Sequence, residues 1–178
     1  MENIILTGYM GSGKTTVGKN VAAFKQYTFV DTDEMIAQQQ HKSISEIFAA
    51  QGEQAFRDME TELLRHLIAE GRERLVISTG GGMPLRAENR QLLARLGKVV
   101  YLKASPATIY NRIKEDTTRP LLQCEDPRKR IGEMLASREP LYEEGAALTI
   151  DVNELGPHEA AQRCVEMADR LKCYIGLS

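Results

Sequence analysis

Gly8-Tyr9-Met10-Gly11-Ser12-Gly13-Lys14-Thr15 satisfies the spacing G-x-x-x-x-G-K-[ST], and each fixed position has a physical reason. The glycines let successive backbone N–H groups turn inward around phosphate oxygens. The helix that starts here adds the positive end of its dipole. Lys14 is placed to reach the β- and γ-phosphates, and the Thr15 hydroxyl to take a magnesium ion. The loop follows the apolar stretch Ile4–Leu6 and leads into a helical one, Thr16 to Phe24. A phosphate loop needs that context and an ordinary glycine turn does not. The expected ligand is a nucleoside triphosphate with magnesium. GTPase switches, motor ATPases and small-molecule kinases share this loop, so residues further along must discriminate.

Asp31-Thr32-Asp33 ends a second apolar stretch. Carboxylates at the carboxyl end of a parallel strand point into the ligand crevice, and residues two apart on an extended chain share a side. Asp31 is therefore expected near the metal and Asp33 near a second substrate, unless Asp33 merely caps a helix beginning at Glu34. A third stretch, Leu75–Ser78, runs into Thr79-Gly80-Gly81-Gly82. Three glycines cost chain entropy that a simple turn does not require, and they return a backbone that a ligand can approach.

Four arginines stand out. Arg57 follows Phe56 and lies three before Glu60, while Arg138 falls on the apolar stripe Ile131, Leu135, Tyr142. An arginine in such a stripe needs an anionic partner, either a structural carboxylate or a bound anion. Arg112 lies in the helical stretch leading into residues 115–127, a polar segment with Pro120 and Pro127. A loop of that length in a small domain is usually functional or disordered, and it is the candidate mobile lid. Arg119 inside it is placed to be supplied in cis to a transferring phosphoryl group.

These residues need a scaffold. The chain has 178 residues, enough for one domain over 1–178 that buries a core without disulfides. Lys plus Arg is 23 and Asp plus Glu is 25, a net charge of −2, which argues against nucleic acid as a main partner. The three cysteines, Cys124, Cys164 and Cys173, form no C-x-x-C pair, which reads as a reducing compartment without a zinc site. No apolar run reaches the ~18 residues of a membrane span, and the start Met-Glu-Asn lacks the basic residues of a signal peptide. The expected location is the cytoplasm.

Strands are expected at Asn3–Thr7, Thr28–Asp31, Leu75–Ser78, Val99–Leu102 and Leu148–Asp151. Helical stripes lie between them: Met59, Leu63, Leu64, Leu67 and Ile68, then Ala161, Cys164, Val165, Ala168 and Leu171. Ser43-Ile44-Ser45-Glu46 fits a capping box. Strands alternating with helices give an α/β domain with a parallel sheet.

With these residues assembled, the chain resembles the shikimate kinases over nearly its whole length. The resemblance rests on G-Y-M-G-S-G-K-T, D-T-D at 31–33, F-R-x-x-E at 56–60, T-G-G-G at 79–82, R-P-L-L at 119–122 and R-x-x-x-Y at 138–142. It implies a doubly wound, five-stranded parallel sheet of the nucleoside monophosphate kinase type, with helices on both faces and a mobile lid at about 115–127. It implies transfer of the ATP γ-phosphate to the 3-hydroxyl of shikimate, a step toward chorismate and the aromatic amino acids.

By the match, Asp33, Arg57, Gly80, Gly81, Gly82 and Arg138 bind shikimate, with a helical segment at about 33–60 serving that substrate. Lys14, Asp33 and Arg119 are the catalytic set. Gly11, Ser12, Gly13, Lys14, Thr15, Thr16, Arg112, Arg119 and Asn153 hold the nucleotide, and Thr15 with Asp31 holds Mg²⁺. The expected partners are shikimate and ATP, with no nucleic acid and no membrane, and the expected state is a monomer. The family usually places an apolar residue near Lys25 and a small or turn-forming one near Gln26, so V-A-A-F-K-Q-Y-T-F at 21–29 departs from it. A kinase for another small hydroxy acid such as gluconate, and a P-loop nucleotide switch with no small-molecule acceptor, are the alternatives.

Overall fold

Five parallel strands lie where the apolar runs are: β1 Asn3–Thr7, β2 Thr28–Asp31, β3 Leu75–Ser78, β4 Gly97–Lys103 and β5 Leu148–Asp151. Only β4 departs from its expected bounds, extending beyond Val99–Leu102 at both ends. The helices are α1 Lys14–Lys25, α2 Thr32–Gln40, α3 Ile44–Glu70, α4 Ala87–Leu96, α5 Pro106–Ile113, α6 Pro127–Glu144 and α7 Pro157–Ile175, with a 3₁₀ turn at Met83–Leu85. The structure is a computed structural model, and it describes residues 2–115 and 125–175.

The sheet order is β2-β3-β1-β4-β5. Successive residues of a strand face opposite sides, and the core divides accordingly. Ile4 and Leu6 pack with Val17, Val21, Ile109 and Ala161 on one face. Ile5 packs with Ile47, Leu64, Leu67 and Leu93 on the other. Both faces are thus covered by helices, so the central strands β1 and β3 are buried at every position, their apolar runs Ile4–Leu6 and Leu75–Ile77 flanked by the buried polar residues Asn3, Thr7 and Ser78. β2 and β5 form the edges and are partly exposed.

This order puts the reversal of winding between β1 and β3, and ligands of such sheets bind at the carboxyl ends there. Register makes the point concrete. Ser78 pairs with Leu6 on one side and with Asp31 on the other. The residues that follow these three positions therefore leave the sheet at one height and along one crevice.

The helix ends follow local chemistry. The Ser43 capping box is complete, with the Glu46 carboxylate accepting from Ser43 N–H at 2.8 Å and Ser43 Oγ accepting from Glu46 N–H at 3.2 Å. Gly52, at φ 82°, breaks α3 into a short leading piece and the long helix that carries Phe56, Arg57 and Glu60. Of the two departures at the end of the first helix, the one at Lys25 has a structural reason. Lys25 pairs with Asp169 of α7 at 2.9 Å. Gln26 ends α1 in the left-handed region at φ 54°, where a small residue is ordinarily favoured.

Candidate active site

The loop after β1 wraps back on itself before α1. Gly8, Gly11 and Gly13 take φ values of 145°, 76° and 95°, which L side chains rarely adopt. A methyl on Gly8 would stand 2.7 Å from the Leu102 carbonyl oxygen, so the loop also presses against the end of β4. Lys14 is 9% exposed. Its Nζ donates to the carbonyls of Gly8 at 2.8 Å and Tyr9 at 3.0 Å. Lys14 therefore holds the shape of the loop as well as lining the crevice, more than the phosphate contact expected of it. Ser12 Oγ is buried without a hydrogen-bond partner among the described residues. Thr15 and Thr16 are exposed on the first turn of α1.

Arg112 braces the loop from the side of α5. Its guanidinium donates to the Ser12 carbonyl at 3.1 Å and to the Val152 carbonyl at 2.8 Å. The Asn153 side chain accepts from Ser105 N–H at 2.7 Å and from the Thr108 hydroxyl at 2.8 Å, tying the turn after β5 to the start of α5. Both residues expected beside the nucleotide thus hold the two segments that flank the phosphate loop.

At the end of β2, Asp31 has extended backbone, and its Oδ1 accepts from Asp33 N–H at 3.0 Å. The capping role weighed for Asp33 therefore falls to Asp31, and the helix begins at Thr32 rather than Glu34. A cap needs non-helical backbone and a side chain that reaches an early N–H, and only Asp31 has both. The Thr15 hydroxyl donates to Asp31 Oδ2 at 3.4 Å. Asp33 then projects from the first turn of α2 into a crevice of about 320 Å³ lined by Lys14, Thr15, Asp31 and Gly80 among others. Its Oδ1 is buried with no hydrogen-bond partner among the described residues. Burial raises its pKa above the ordinary carboxylate range and Asp31 adds to this, while Lys14 and Arg57 oppose it.

Each glycine of the triple answers to a neighbour within the protein. A methyl on Gly80 would collide with Asp33 Oδ1 and stand 3.0 Å from Glu60 Oε1. A methyl on Gly82 would collide with the Arg57 guanidinium. Gly81 sits 3.5–3.8 Å, by the same measure, from Gly8 O, Met10 N and the Tyr142 hydroxyl. None of the three has positive φ. They are there for close approach, and the approaching groups include this chain's own carboxylates and guanidinium as well as any ligand. Gly80 N–H donates to Thr32 Oγ1 at 2.9 Å, and the Tyr142 hydroxyl donates to the Gly81 carbonyl at 2.6 Å.

Arg57 lies under this loop between two carboxylates. It pairs with Glu60 at 2.7 Å, a residue whose side chain is 0% exposed, and with Glu53 at 3.0 Å, which is 67% exposed. The exposed pair is worth at most about 1 kcal/mol. The buried one fixes the guanidinium, because a buried carboxylate without its partner would be strongly unfavourable. Glu60 Oε1 remains unpartnered among the described residues. Burial pushes the Glu60 carboxyl up to about 7 against the opposing pull of Arg57. Arg138, half-buried on α6, lies over the Tyr9 ring at 5.5 Å from its centroid. Tyr142, one turn further on, stacks on Tyr101 with ring centroids 5.2 Å apart.

The crevice thus brings together Lys14, Thr15, Asp31, Asp33 and Gly80, with Arg57 and Gly82 adjoining. Arg119, with residues 116–124 of the expected lid, lies outside the described residues. Two residues had no role assigned from sequence. Glu60 stood only as the last residue of F-R-x-x-E, and Tyr142 only as the end of R-x-x-x-Y and of an apolar stripe.

A β2-β3-β1-β4-β5 parallel sheet with a phosphate loop after β1 and a carboxylate-bearing helix across the crevice defines a P-loop protein of the nucleoside monophosphate kinase type. The family model for shikimate kinase matches residues 10–169, and the chain belongs to that family. It is 46% identical over 171 residues to the shikimate kinase of Thermodesulfovibrio yellowstonii, an alignment covering 96% of this chain and 97% of that one. It is 42% identical over 172 residues to the shikimate kinase of Caldanaerobacter subterraneus, covering 97% and 99%. The solved shikimate kinase from Acinetobacter baumannii in complex with shikimate superposes with a TM-score of 0.88 at 38% identity, covering 97% of this chain and 95% of that one.

Proposed function

We propose that this protein transfers the γ-phosphoryl group of ATP to the 3-hydroxyl of shikimate, with the roles divided along the crevice. The observation that carries the reading is that Asp33, with its Oδ1 buried and unpartnered among the described residues, lines the same cavity as Lys14 and the phosphate loop. A raised carboxyl pKa suits a group that accepts a hydroxyl proton near neutral pH. Asp33 orients the attacking hydroxyl and takes its proton. Loop N–H groups and Lys14 bind the phosphates and meet the charge that develops on the transferring group. Arg57 and Arg138 hold the substrate carboxylate, as planar guanidinium forks suit. Arg119 is assigned by the sequence match to the transferring phosphoryl group.

Two oxygen donors of hard-cation type, Thr15 Oγ1 and Asp31 Oδ2, lie 3.4 Å apart beside the loop, so the residues present fit a magnesium ion. Bound there, magnesium would neutralise phosphate charge. The proposed small-molecule partners are ATP and shikimate, in a monomeric, cytoplasmic protein. Among the described residues no helix is long and apolar enough to cross a membrane.

The test is ADP release measured with a coupled assay in the presence of shikimate, of gluconate, or of neither. Release that depends on shikimate supports the reading. Release driven by gluconate makes the chain a kinase of another hydroxy acid. Release indifferent to both acids makes it a nucleotide hydrolase or switch.

A further inference from the structure

Glu60, buried behind the crevice, has one oxygen committed to Arg57 and the other buried and unpartnered among the described residues. The unpartnered Oε1 and the unpartnered Asp33 Oδ1 converge on the same glycine, Gly80. Two buried acceptors therefore face one another's charge with no donor between them in the described residues. The surrounding titratable and charged groups come from several elements, α6 included with Arg138 and Tyr142. Lys14 comes from α1, Asp31 from the end of β2, Asp33 from α2, Glu53 and Arg57 from α3, and Arg86 from the stretch before α4.

Arg57 is thus shared already by two carboxylates before any substrate arrives. A substrate carboxylate adds a third negative charge to the same guanidinium. Like charges held together in a low-dielectric site are relieved when one of them takes a proton. Glu53 is exposed and screened by water, and the substrate carboxylate has Arg138 in addition. Glu60, fully buried and facing Asp33, is where relief is greatest.

We infer that binding of the carboxylate substrate is coupled to proton uptake at Glu60, so that Glu60 makes substrate affinity depend on pH. This rests on the proposed reading of the site, in which Arg57 receives the carboxylate. The Glu60 carboxyl, pushed up to about 7, starts partly protonated in the neutral range, and the added negative charge carries it further. The sign follows from linkage: a ligand that promotes proton uptake binds more tightly at lower pH. Shikimate affinity should therefore weaken as pH rises through the neutral range, by no more than about tenfold per pH unit for one proton. Glu60 acts through Arg57 and Asp33, so it is a positioning residue.

The experiment is calorimetric titration of the full chain with shikimate at pH 7 in buffers of different ionisation enthalpy, which reads the protons taken up per ligand bound. The wild type should take up a fraction of a proton, and Glu60→Gln, which keeps an acceptor for Arg57, should bind with that fraction lost and a flatter pH dependence. Uptake that persists in Glu60→Gln would place the proton elsewhere and overturn the inference. Binding by the wild type with no uptake would overturn it as well. Failure of the wild type to bind shikimate would instead overturn the proposed function, so the two failures are distinguishable. If Glu60→Gln does not fold, ¹³C NMR of glutamate-labelled wild type serves. One side-chain carboxyl should titrate near neutrality and shift its midpoint upward with shikimate, and no such resonance would overturn the coupling.

Discussion

Lys14 joins two tasks that are usually discussed apart. Its ammonium holds the carbonyls of Gly8 and Tyr9 while lying on the crevice. Lys14→Met should lower kcat by about 10²–10³, the range for one preorganised donor. It should also lower the melting temperature, because the loop carbonyls lose a charged donor. Steady-state kinetics beside a thermal melt separates the two, and an unchanged melt would mean that the bonds to the loop carry no stability. Glu60 gives a second prediction at this scale. A carboxyl whose pKa is raised on folding binds protons more tightly when folded, so its contribution is intact at low pH and lost as pH rises from about 4.5 to about 7. Glu60→Gln has no such titration. Its stability relative to wild type should therefore rise across that window and stay level above it, as denaturant melts at successive pH values would record. A difference independent of pH would contradict the raised Glu60 carboxyl.

At the scale of elements, a hydrogen bond from Tyr142 of α6 ties the triple-glycine loop to that helix. Tyr142 reaches the Gly81 carbonyl from below while its ring stacks on Tyr101 of β4. Because a methyl on Gly81 would come within 3.5–3.6 Å of Gly8 O and Met10 N, the glycine loop lies close against the phosphate loop, and this bond ties α6 to both. Burial pushes the Tyr142 hydroxyl up to about 12, so it stays a donor throughout the working pH range. Tyr142→Phe keeps the stack and orphans the carbonyl, which costs about 1–3 kcal/mol. The expected outcome is a lower melting temperature and a raised KM for shikimate, with the KM for ATP much less affected. Equal changes in both KM values would mean that the bond supports the whole crevice and not the glycine loop in particular.

For the molecule as a whole, the site is assembled from segments far apart in sequence that leave one edge of a rigid sheet. Ligands that bind only this assembled edge must stabilise the entire fold. At a hundredfold excess over its dissociation constant, shikimate or ATP should add about 2.7 kcal/mol. At roughly 2–4 °C per kcal/mol for a domain of this size, the melting temperature should rise by about 5–11 °C. Differential scanning fluorimetry across a concentration series would test this. A flat response to ATP would be incompatible with a formed phosphate loop.

The sequence alone determined the parts whose physics is local. Strand positions, the Ser43 cap and the phosphate loop all depend on neighbours a few residues away, and the structure has them at the expected places. The parallel sheet was legible too, because strands buried on both faces carry continuous apolar stretches such as Ile4–Leu6 and Leu75–Ile77. Only the tertiary structure decided what depends on distance in space. It gave the helix cap to Asp31 rather than Asp33, because backbone dihedrals at the end of β2 choose which side chain reaches the early N–H groups. It showed that Gly80 and Gly82 make room for Asp33, Glu60 and Arg57, since a glycine's neighbours come from helices elsewhere in the chain. It also brought Glu60 beside Asp33. They are 27 residues apart in the chain, and only the packing of α2 and α3 against one crevice makes a charge on one matter to the other.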